Sequence, residues 1–380
     1  MINKENFTIA VEESIMIKGM PATASSKMLE NFVSPFDATI ISKLKAAGIS
    51  ITHRTNGDEL GIDNVMDSPE TPDIIPEAID MVINGTCRTV LCNDFSGKMR
   101  RMASLSGLYY IHPTYGTVSR FGLIASVSSM DQIGILCKDP EDGRYILSII
   151  AGHDASDGTS YYEESYDYNY EPSEATAKIK VGIPTNVLAW IDEPCRNAVL
   201  SFAQDNNFEI CEFELKYFEA LAPVQYILSC AEISNNTNRF DGIKYGYRTT
   251  NYSNLNDLYL NSRTEAFGLN AKLAAIMGSM VLSQNHYEPT YNKAMQVRRL
   301  LAESLDYSKY DLILLPASAT PLYADRNPYE ESALYALPTL CGLPSIAVPV
   351  ADGLGVTLTA SVKNEALLFH SAKSIFEKGR

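Results

Sequence analysis

The sequence has few of the residues that build metal or disulfide sites. Its seven cysteines are an odd number, none forms a CxxC pair, and the five histidines show no ligand spacing with one another or with cysteine. Zinc sites and disulfide frameworks rely on such close pairs. We therefore expect reduced, scattered thiols, as in cytoplasmic proteins, and neither a metal nor another cofactor.

Positive charge is also scarce. The chain has 31 Lys and Arg against 46 Asp and Glu, which gives a net charge of −15 at pH 7. Because nucleic-acid affinity comes largely from basic groups, no direct nucleic-acid contact is expected. No apolar run reaches the roughly 18 residues of a membrane span, and residues 1–14 lack the apolar segment of a secretion signal. These absences predict a cytoplasmic protein that does not bind membranes.

Strand-like and helical segments alternate along the chain, which favours an α/β layered fold. The helix of residues 37–48 is predicted to have Asp37 as its N-cap and Gly48 just past its end, with Ile40, Ile41 and Leu44 on one face. Residues 63–76, which contain three prolines, and the acidic, tyrosine-rich residues 161–173 are predicted to be irregular loops. The other predicted strands and helices are Phe7–Val11, Ile49–Thr52, Thr89–Cys92, Val181–Pro184, Pro194–Asn206, Phe208–Phe213, 255–304 and Tyr310–Leu315.

The segment Cys92–Arg101, CNDFSGKMRR, follows an apolar run and precedes small residues. It is typical of a strand, a tight polar turn and the start of a helix. Such a connection often presents a nucleophile, a phosphate cradle or a cation. Here the residue at the tip is Lys98, whose side chain is an amine.

Several ordered motifs of this sequence resemble the amidase signature family, and in particular the A subunits of glutamine-dependent aminoacyl-tRNA amidotransferases. The longest is HPTYGTVSRFGLIASVSSMDQIG at residues 112–134. The resemblance implies one large mixed, twisted β-sheet covered by helices on both faces, in a single domain over residues 1–380. From the resemblance we also expect the helical segment that usually begins the family's chains to be missing before the first strand. The other motifs are Ser26–Phe32, Asp37–Gly48, Thr55-Asn56, Asp58-Glu59, Ala151–Asp154, Arg239–Gly246, Arg263–Gly268 and Gly342–Pro349.

The family's catalytic triad is a serine nucleophile, a middle serine that relays the proton, and a lysine that acts as the base. Position by position, the resemblance puts Glu12 in place of the lysine, Ile75 or the neighbouring Ile74 in place of the middle serine, and Lys98 in place of the nucleophile. All three triad positions are therefore substituted, and because triad members act as a unit, restoring one should restore nothing. The segment that holds the oxyanion in the family corresponds to Asp94, Phe95, Ser96 and Gly97.

The charges at two of these positions are opposite. Since the family brings them close together, we expect Glu12 and Lys98 to form an ion pair that offsets the cost of burying each charge. In an alternative interpretation the protein is still catalytic. Ser96 would act as the nucleophile and Lys98 as its base, which requires that the pKa of Lys98 be depressed. Nearby carboxylates oppose that, because they favour the charged amine.

A ligand pocket is also implied by the resemblance. Arg298 corresponds to an arginine that contacts a substrate carboxylate, although a helix-surface arginine is an equal alternative. Ser332, or Glu331 beside it, falls at the position of an aspartate that holds the substrate's amine. These residues suggest a small amide or amino acid as ligand.

Three functions remain open from the sequence. The first, which the triad positions favour, is a catalytically inactive pseudo-amidase with a binding, scaffolding or regulatory role. The second is a working amidotransferase A subunit or amidase that hydrolyses amides with altered chemistry. The third is a structural partner that docks counterparts of the B and C subunits, or self-associates, without glutaminase activity.

Overall fold

The computed structural model describes residues 7–62, 75–170, 178–322, 324, 327–351 and 353–378. Within these ranges, ten strands form one sheet. The strands are β1 (Thr8–Glu12), β2 (Ser50–Thr55), β3 (Thr89–Asn93), β4 (Tyr109–His112), β5 (Ile133–Cys137), β6 (Lys180–Pro184), β7 (Glu209–Phe213), β8 (Leu312–Pro316), β9 (Ser345–Ala351) and β10 (Leu354–Ala360).

Thirteen α-helices accompany the sheet in the described ranges, together with short 3-10 helices and one π-helical turn. None of these helices is both long and apolar enough to cross a membrane. The α-helices are α1 (Thr39–Ala46), α2 (Glu77–Ile83), α3 (Lys98–Leu105), α4 (Pro140–Ile150), α5 (Thr185–Trp190), α6 (Glu193–Asp205), α7 (Leu221–Thr237), α8 (Leu255–Ala266), α9 (Leu269–Val281), α10 (Lys293–Ser304), α11 (Pro328–Glu331), α12 (Ala333–Cys341) and α13 (Glu365–Lys378). The 3-10 and π segments are Lys27–Leu29, Glu59–Gly61, Phe218–Ala220 and Tyr287–Asn292.

The sheet is mixed, as expected. Its strand order is β2-β1-β3-β5-β4-β9-β10-β8-β6-β7. The β1 strand is parallel to β2 and β3, and β6 is parallel to β7 and β8. Between these two parallel groups, each neighbouring pair of strands in the run β3-β5-β4-β9-β10-β8 is antiparallel. Strand β1, which carries Glu12 at its end, therefore lies directly between β2 and the strand that leads into α3.

Helices pack against both faces of this sheet, because alternate residues of its strands belong to different apolar clusters. In β1, Ile9 and Val11 belong to the apolar cluster that includes residues of α1, α4, α6 and α13, whereas Ala10 belongs to the cluster that includes residues of α2 and α3. In β4, Ile111 joins the first cluster and Tyr110 the second. The predicted α/β sheet with helices on both faces is confirmed. A third cluster joins α7, α9, α10 and α12 beside the site described below.

The predicted helix near residue 40 is present, with one correction. Ile40, Ile41 and Leu44 are fully buried as expected, and Gly48 follows the end of α1 with φ +76°. The N-cap is Ala38 rather than Asp37. The Asp37 carboxylate instead accepts hydrogen bonds from the backbone of Lys18 and from the side chain of Lys45, because α1 begins one residue later than the pattern suggested.

The region 255–304 comprises α8, α9, the π-helical turn and α10, so its helical pattern is confirmed. Of the two predicted loops, residues 63–74 lie outside the described residues. Residues 161–170 contain no helix or strand, as expected, but they are not only a surface excursion. Tyr168 is buried and meets the ring of Phe369 edge-on at 5.9 Å, which ties this loop to α13.

Candidate functional site

The turn between β3 and α3 is built around Asp94. One oxygen of its carboxylate accepts hydrogen bonds from the backbone N–H groups of Gly97 at 3.0 Å and Met99 at 3.1 Å. Gly97 adopts φ +95°, and a Cβ there would lie 2.3 Å from an atom of the Tyr335 ring. Only glycine fits this position without strain. The turn thus delivers Lys98 as the first residue of α3, as the sequence predicted.

Two consecutive arginines fix α3 in the interior. Arg100 is 1% exposed and its Nε lies 2.8 Å from the second oxygen of Asp94. Arg101 is 2% exposed and its Nε lies 3.1 Å from the Glu331 carboxylate. Each buried cation therefore has its own buried carboxylate, which offsets the cost of removing both charges from water.

Glu12, at the end of β1, is buried and makes no ion-pair contact with a cation among the described residues. Its carboxylate accepts hydrogen bonds from the hydroxyl of Ser14 and, at 3.2 Å, from the backbone N–H of Asn93. Burial raises the pKa of Glu12 to about 7, and the charges of Asp58 and Asp94 add to the rise. At neutral pH this side chain is divided between its acid and carboxylate forms, a property common in functional sites.

The expected ion pair between Glu12 and Lys98 is wrong. The ammonium nitrogen of Lys98 lies 2.8 and 2.9 Å from the two oxygens of Asp58, on the loop after β2. The side chains of Lys98 and Asp58 are 27% and 40% exposed. The physical reason is solvation. Beside the partly exposed Asp58 the ammonium keeps part of its hydration, whereas beside the buried Glu12 it would lose that water.

Glu12 and Lys98 nevertheless line the same cavity, which has a volume of about 290 Å³. The other two positions of interest, Ile75 and Ser96, also line it. The hydroxyl of Ser96 accepts a hydrogen bond from the backbone N–H of Lys98 at 3.3 Å. The positions carried over from the family motif thus meet in one place. The remaining lining residues are Thr55, Asn56, Gly57, Asp58, Gly61, Pro76, Glu77, Ala78, Cys92, Asn93, Asp94, Phe95 and Met99.

A larger, more open groove of about 710 Å³ shares Ile75 with this cavity, but none of the described residues that line it has an ionisable side chain. The smaller cavity contains Glu12, Asp58 and Lys98 and is therefore the better candidate for a functional site.

The segment expected to hold an oxyanion, residues 94–97, is held in place by hydrogen bonds within the protein. Phe95 is buried, and its carbonyl accepts a hydrogen bond at 3.0 Å from the side-chain amide of Gln225 on α7. The Asp94 carboxylate already accepts from the N–H groups of Gly97, Met99 and Arg100. In this structure these three N–H groups therefore donate to Asp94 and not to a ligand in the cavity.

The three predicted ligand residues do not line the cavity. The guanidinium of Arg298 donates to the carbonyl oxygens of Leu340 at 2.6 Å and Ser129 at 3.0 Å, and to the Ser129 hydroxyl at 2.9 Å. Glu331 pairs with Arg101, as described above, and the Ser332 hydroxyl donates to the Tyr329 carbonyl at 2.7 Å. Their role in binding a ligand stays a prediction, and in this structure each is engaged within the protein.

Sequence reasoning missed Asp58 as the partner of Lys98 and Arg101 as the partner of Glu331. Asp58 belongs to one of the family-like segments, so its place near the site could have been inferred. The hydrogen bond from Ser14 to Glu12 had no comparable signal, because a lone serine two residues after a strand is common in turns.

Comparison with known proteins agrees with the sequence motifs. The family model described as Amidase matches residues 6–70 and 81–369. The chain belongs to the amidase family. Among its curated relatives, the A subunit of the glutamyl-tRNA(Gln) amidotransferase of Lachnospira eligens is 35% identical over 90% of this chain and 76% of that protein. The protein of the same name from Acinetobacter baumannii is 36% identical over 92% of this chain and 77% of its own length.

Solved structures of amidase-family proteins show the same fold. The A subunit of the glutamyl-tRNA(Gln) amidotransferase from Thermotoga maritima, 27% identical, superposes with a TM-score of 0.75 over 97% of this chain and 82% of its own. A 6-aminohexanoate cyclic dimer hydrolase, only 16% identical, gives a TM-score of 0.76 over 98% and 84% of the two chains. The second likeness shows the fold alone, since one fold supports many functions.

Proposed function

We propose that this amidase-family chain is catalytically inactive and acts by binding, as a small-ligand, scaffolding or regulatory protein. The observation that carries the proposal is the state of Lys98. Lys98 stands at the helix start where the family resemblance puts the serine nucleophile. The Lys98 ammonium is bound by both carboxylate oxygens of Asp58. An ammonium in an ion pair has no free lone pair with which to attack a carbonyl.

The surroundings of Lys98 support the same proposal. The position of the family's basic lysine carries Glu12, and that of the relaying serine carries the hydrocarbon side chain of Ile75, which has no proton to transfer. The cavity remains open at about 290 Å³, so a role in binding does not require the lost chemistry.

The test is an ammonia-release assay with glutamine, asparagine and a simple aliphatic amide. We expect the wild-type chain to release no more ammonia than the Lys98→Met and Ser96→Ala variants. Turnover by the wild type that either substitution abolishes would overturn the proposal. Turnover that survives both substitutions but is lost in Glu12→Gln would overturn it as well, and only turnover that survives all three substitutions identifies a contaminating amidase.

The alternative is a working amidotransferase A subunit or amidase, and one observation favours it. Glu12 has a pKa of about 7 and shares the cavity with the Ser96 hydroxyl, so a carboxylate base and a hydroxyl are both present. The relatives' name makes glutamyl-tRNA(Gln) the substrate to try, together with glutamine and counterparts of the B and C subunits. Formation of glutaminyl-tRNA, lost in Glu12→Gln, would establish this alternative. Stable co-purification with those subunits and no product would instead support a scaffolding role.

A further inference from the structure

The cavity beside Glu12 has an excess of negative charge. Four carboxylates line it, and Lys98 is its one cation in the described part of the chain. Asp94 forms a buried ion pair with Arg100, and Asp58 forms an ion pair with Lys98. The carboxylates of Glu12 and Glu77 make no ion-pair contact with a cation among the described residues, although the charge of Arg54 acts on Glu12 from a greater distance. A cation is therefore the kind of ligand that this charge distribution attracts.

An unpartnered hydroxyl lies next to Glu12. Thr55 lines the cavity and is 1% exposed, and its Oγ1 has no hydrogen-bond partner among the described residues. Thr55 is paired with Glu12 in the parallel register of β1 and β2, so the two side chains project from the same face of the sheet. A buried polar atom without a partner is costly, and a donor bound in the cavity beside Glu12 would supply the missing hydrogen bond.

Part of the remaining lining is apolar. Ile75, Phe95 and Met99 contribute hydrocarbon surface to the cavity, beside the polar Asn56, Asn93 and Ser96. A cavity of about 290 Å³ holds on the order of ten non-hydrogen atoms, at roughly 30 Å³ for each one. Its shape and chemistry suit a short chain with a polar, positively charged end.

We propose that the cavity binds a small primary alkylamine as its ammonium ion. The ammonium donates to the Glu12 carboxylate and the Thr55 hydroxyl, and its carbon chain lies on Ile75, Phe95 and Met99. This inference rests on the proposed binding function and names the ligand class for that site. It differs from the amide or amino acid expected from the sequence, because an amino acid would bring a carboxylate into an already negative cavity.

Binding of the ammonium depends on pH through Glu12. A cation favours the carboxylate over the acid, so binding releases a proton and strengthens as pH rises toward and past neutrality. The charged and titratable groups coupled to Glu12 from the neighbouring elements do not reverse this direction. Asp58 and Asp94 are carboxylates, and burial raises the pKa of the Cys92 thiol well above its ordinary value. Arg54, whose charge acts on Glu12 and which donates to the Ile15 carbonyl at 2.8 Å, also favours the carboxylate form of Glu12.

The test is calorimetric titration of the full chain with n-butylammonium chloride, in the absence of any amide. The matched ligands are n-butanol, which lacks the charge, and butyrate, which reverses it. We expect a dissociation constant of about 1 mM for butylammonium, as befits a ligand of five heavy atoms, with much weaker binding of the other two. We also expect binding to tighten between about pH 6 and about pH 8 as Glu12 ionises.

Two variants sharpen the experiment because they act in opposite directions. Glu12→Gln removes the carboxylate and should weaken butylammonium binding about tenfold, whereas Lys98→Met removes the competing cation and should strengthen it several-fold, on the order of threefold. Glu30→Gln changes an exposed carboxylate outside the cavity and is the control, for which no change is expected.

Equal binding by wild type and Glu12→Gln, or butyrate binding as tight as that of butylammonium, would refute the amine assignment. No detectable heat with butylammonium at about 10 mM would refute it as well. These outcomes are distinct from the ammonia-release assay. Amide turnover removes the claim of inactivity but leaves an amine site that depends on Glu12 in place, and the reverse also holds.

Discussion

Replacing Glu12 by glutamine should change how the stability of the protein depends on pH. Burial raises the pKa of Glu12 from 4.5 to about 7, so the folded state holds this proton more tightly than the unfolded state does. The free energy of unfolding therefore falls as pH rises from 4.5 through 7. Glutamine cannot ionise, and its amide can accept from the Asn93 N–H and donate to the Ser14 oxygen, which preserves both contacts.

The magnitude follows from the two pKa values. The difference between about 7 and 4.5, at about 1.4 kcal/mol per pH unit, corresponds to about 3 kcal/mol at high pH. Of this, about 2 kcal/mol develops between about pH 5.5 and about pH 8.5, because part of the unfavourable contribution is already present at the lower pH. The Glu12→Gln protein should gain that amount relative to wild type across the interval.

The assay is urea unfolding of both proteins at several pH values in that interval. Comparing the two at each pH cancels the other titrating groups, which both proteins share. Asp306→Asn is the control: the pKa of Asp306 is lowered to about 2 by hydrogen bonds from Ser308 and Lys309, so its difference from wild type should not vary with pH here. A difference between wild type and Glu12→Gln that stays constant from about pH 5.5 to about pH 8.5 would show that Glu12 is not a buried, nearly neutral carboxyl group.

Three further predictions concern two ion pairs and one glycine described above. A double-mutant cycle with Asp58→Asn and Lys98→Met should give a coupling of about 0.5 kcal/mol in urea unfolding, since both side chains keep contact with water; zero coupling would show that the pair does not form in solution. Glu331→Gln should cost about 3 kcal/mol because it removes a buried carboxylate that contacts the buried Arg101, and Glu331→Gln with Arg101→Met should cost less than the sum of the two single changes; additive costs would contradict the pairing. Gly97→Ala should lower the midpoint of thermal unfolding, because φ +95° is strained for alanine and an aromatic ring occupies the space of its Cβ; an unchanged midpoint would contradict this geometry.

Much of the local structure could be predicted from sequence because it depends on short-range patterns. The spacing of Ile40, Ile41 and Leu44 predicts the buried face of α1, and the run before Cys92 with the polar turn after it predicts β3, the connection and α3. The cap of α1 was misplaced because Asp37 has an alternative partner in Lys45, which approaches it from the end of the same helix. Periodicity does not report such competition between hydrogen-bond partners.

The site itself was predicted less completely. Glu12, Ile75, Ser96 and Lys98, which the family resemblance singled out, line one cavity, since their positions are set by the backbone. It could not determine which carboxylate the long side chain of Lys98 reaches, because that choice depends on how much water each end retains. Motif matching also could not indicate that the Arg298 guanidinium donates to main-chain carbonyls, because those carbonyls come from distant segments of the chain.

The two arginines that follow Lys98 have a practical meaning for protein engineering. Each forms a buried ion pair with a carboxylate, and neither pair involves the side chain of residue 98. An attempt to install a hydrolase here could leave the backbone untouched and vary only the side chains facing the opening. The difficulty would lie in supplying several reactive groups at once, not in remodelling the support beneath them.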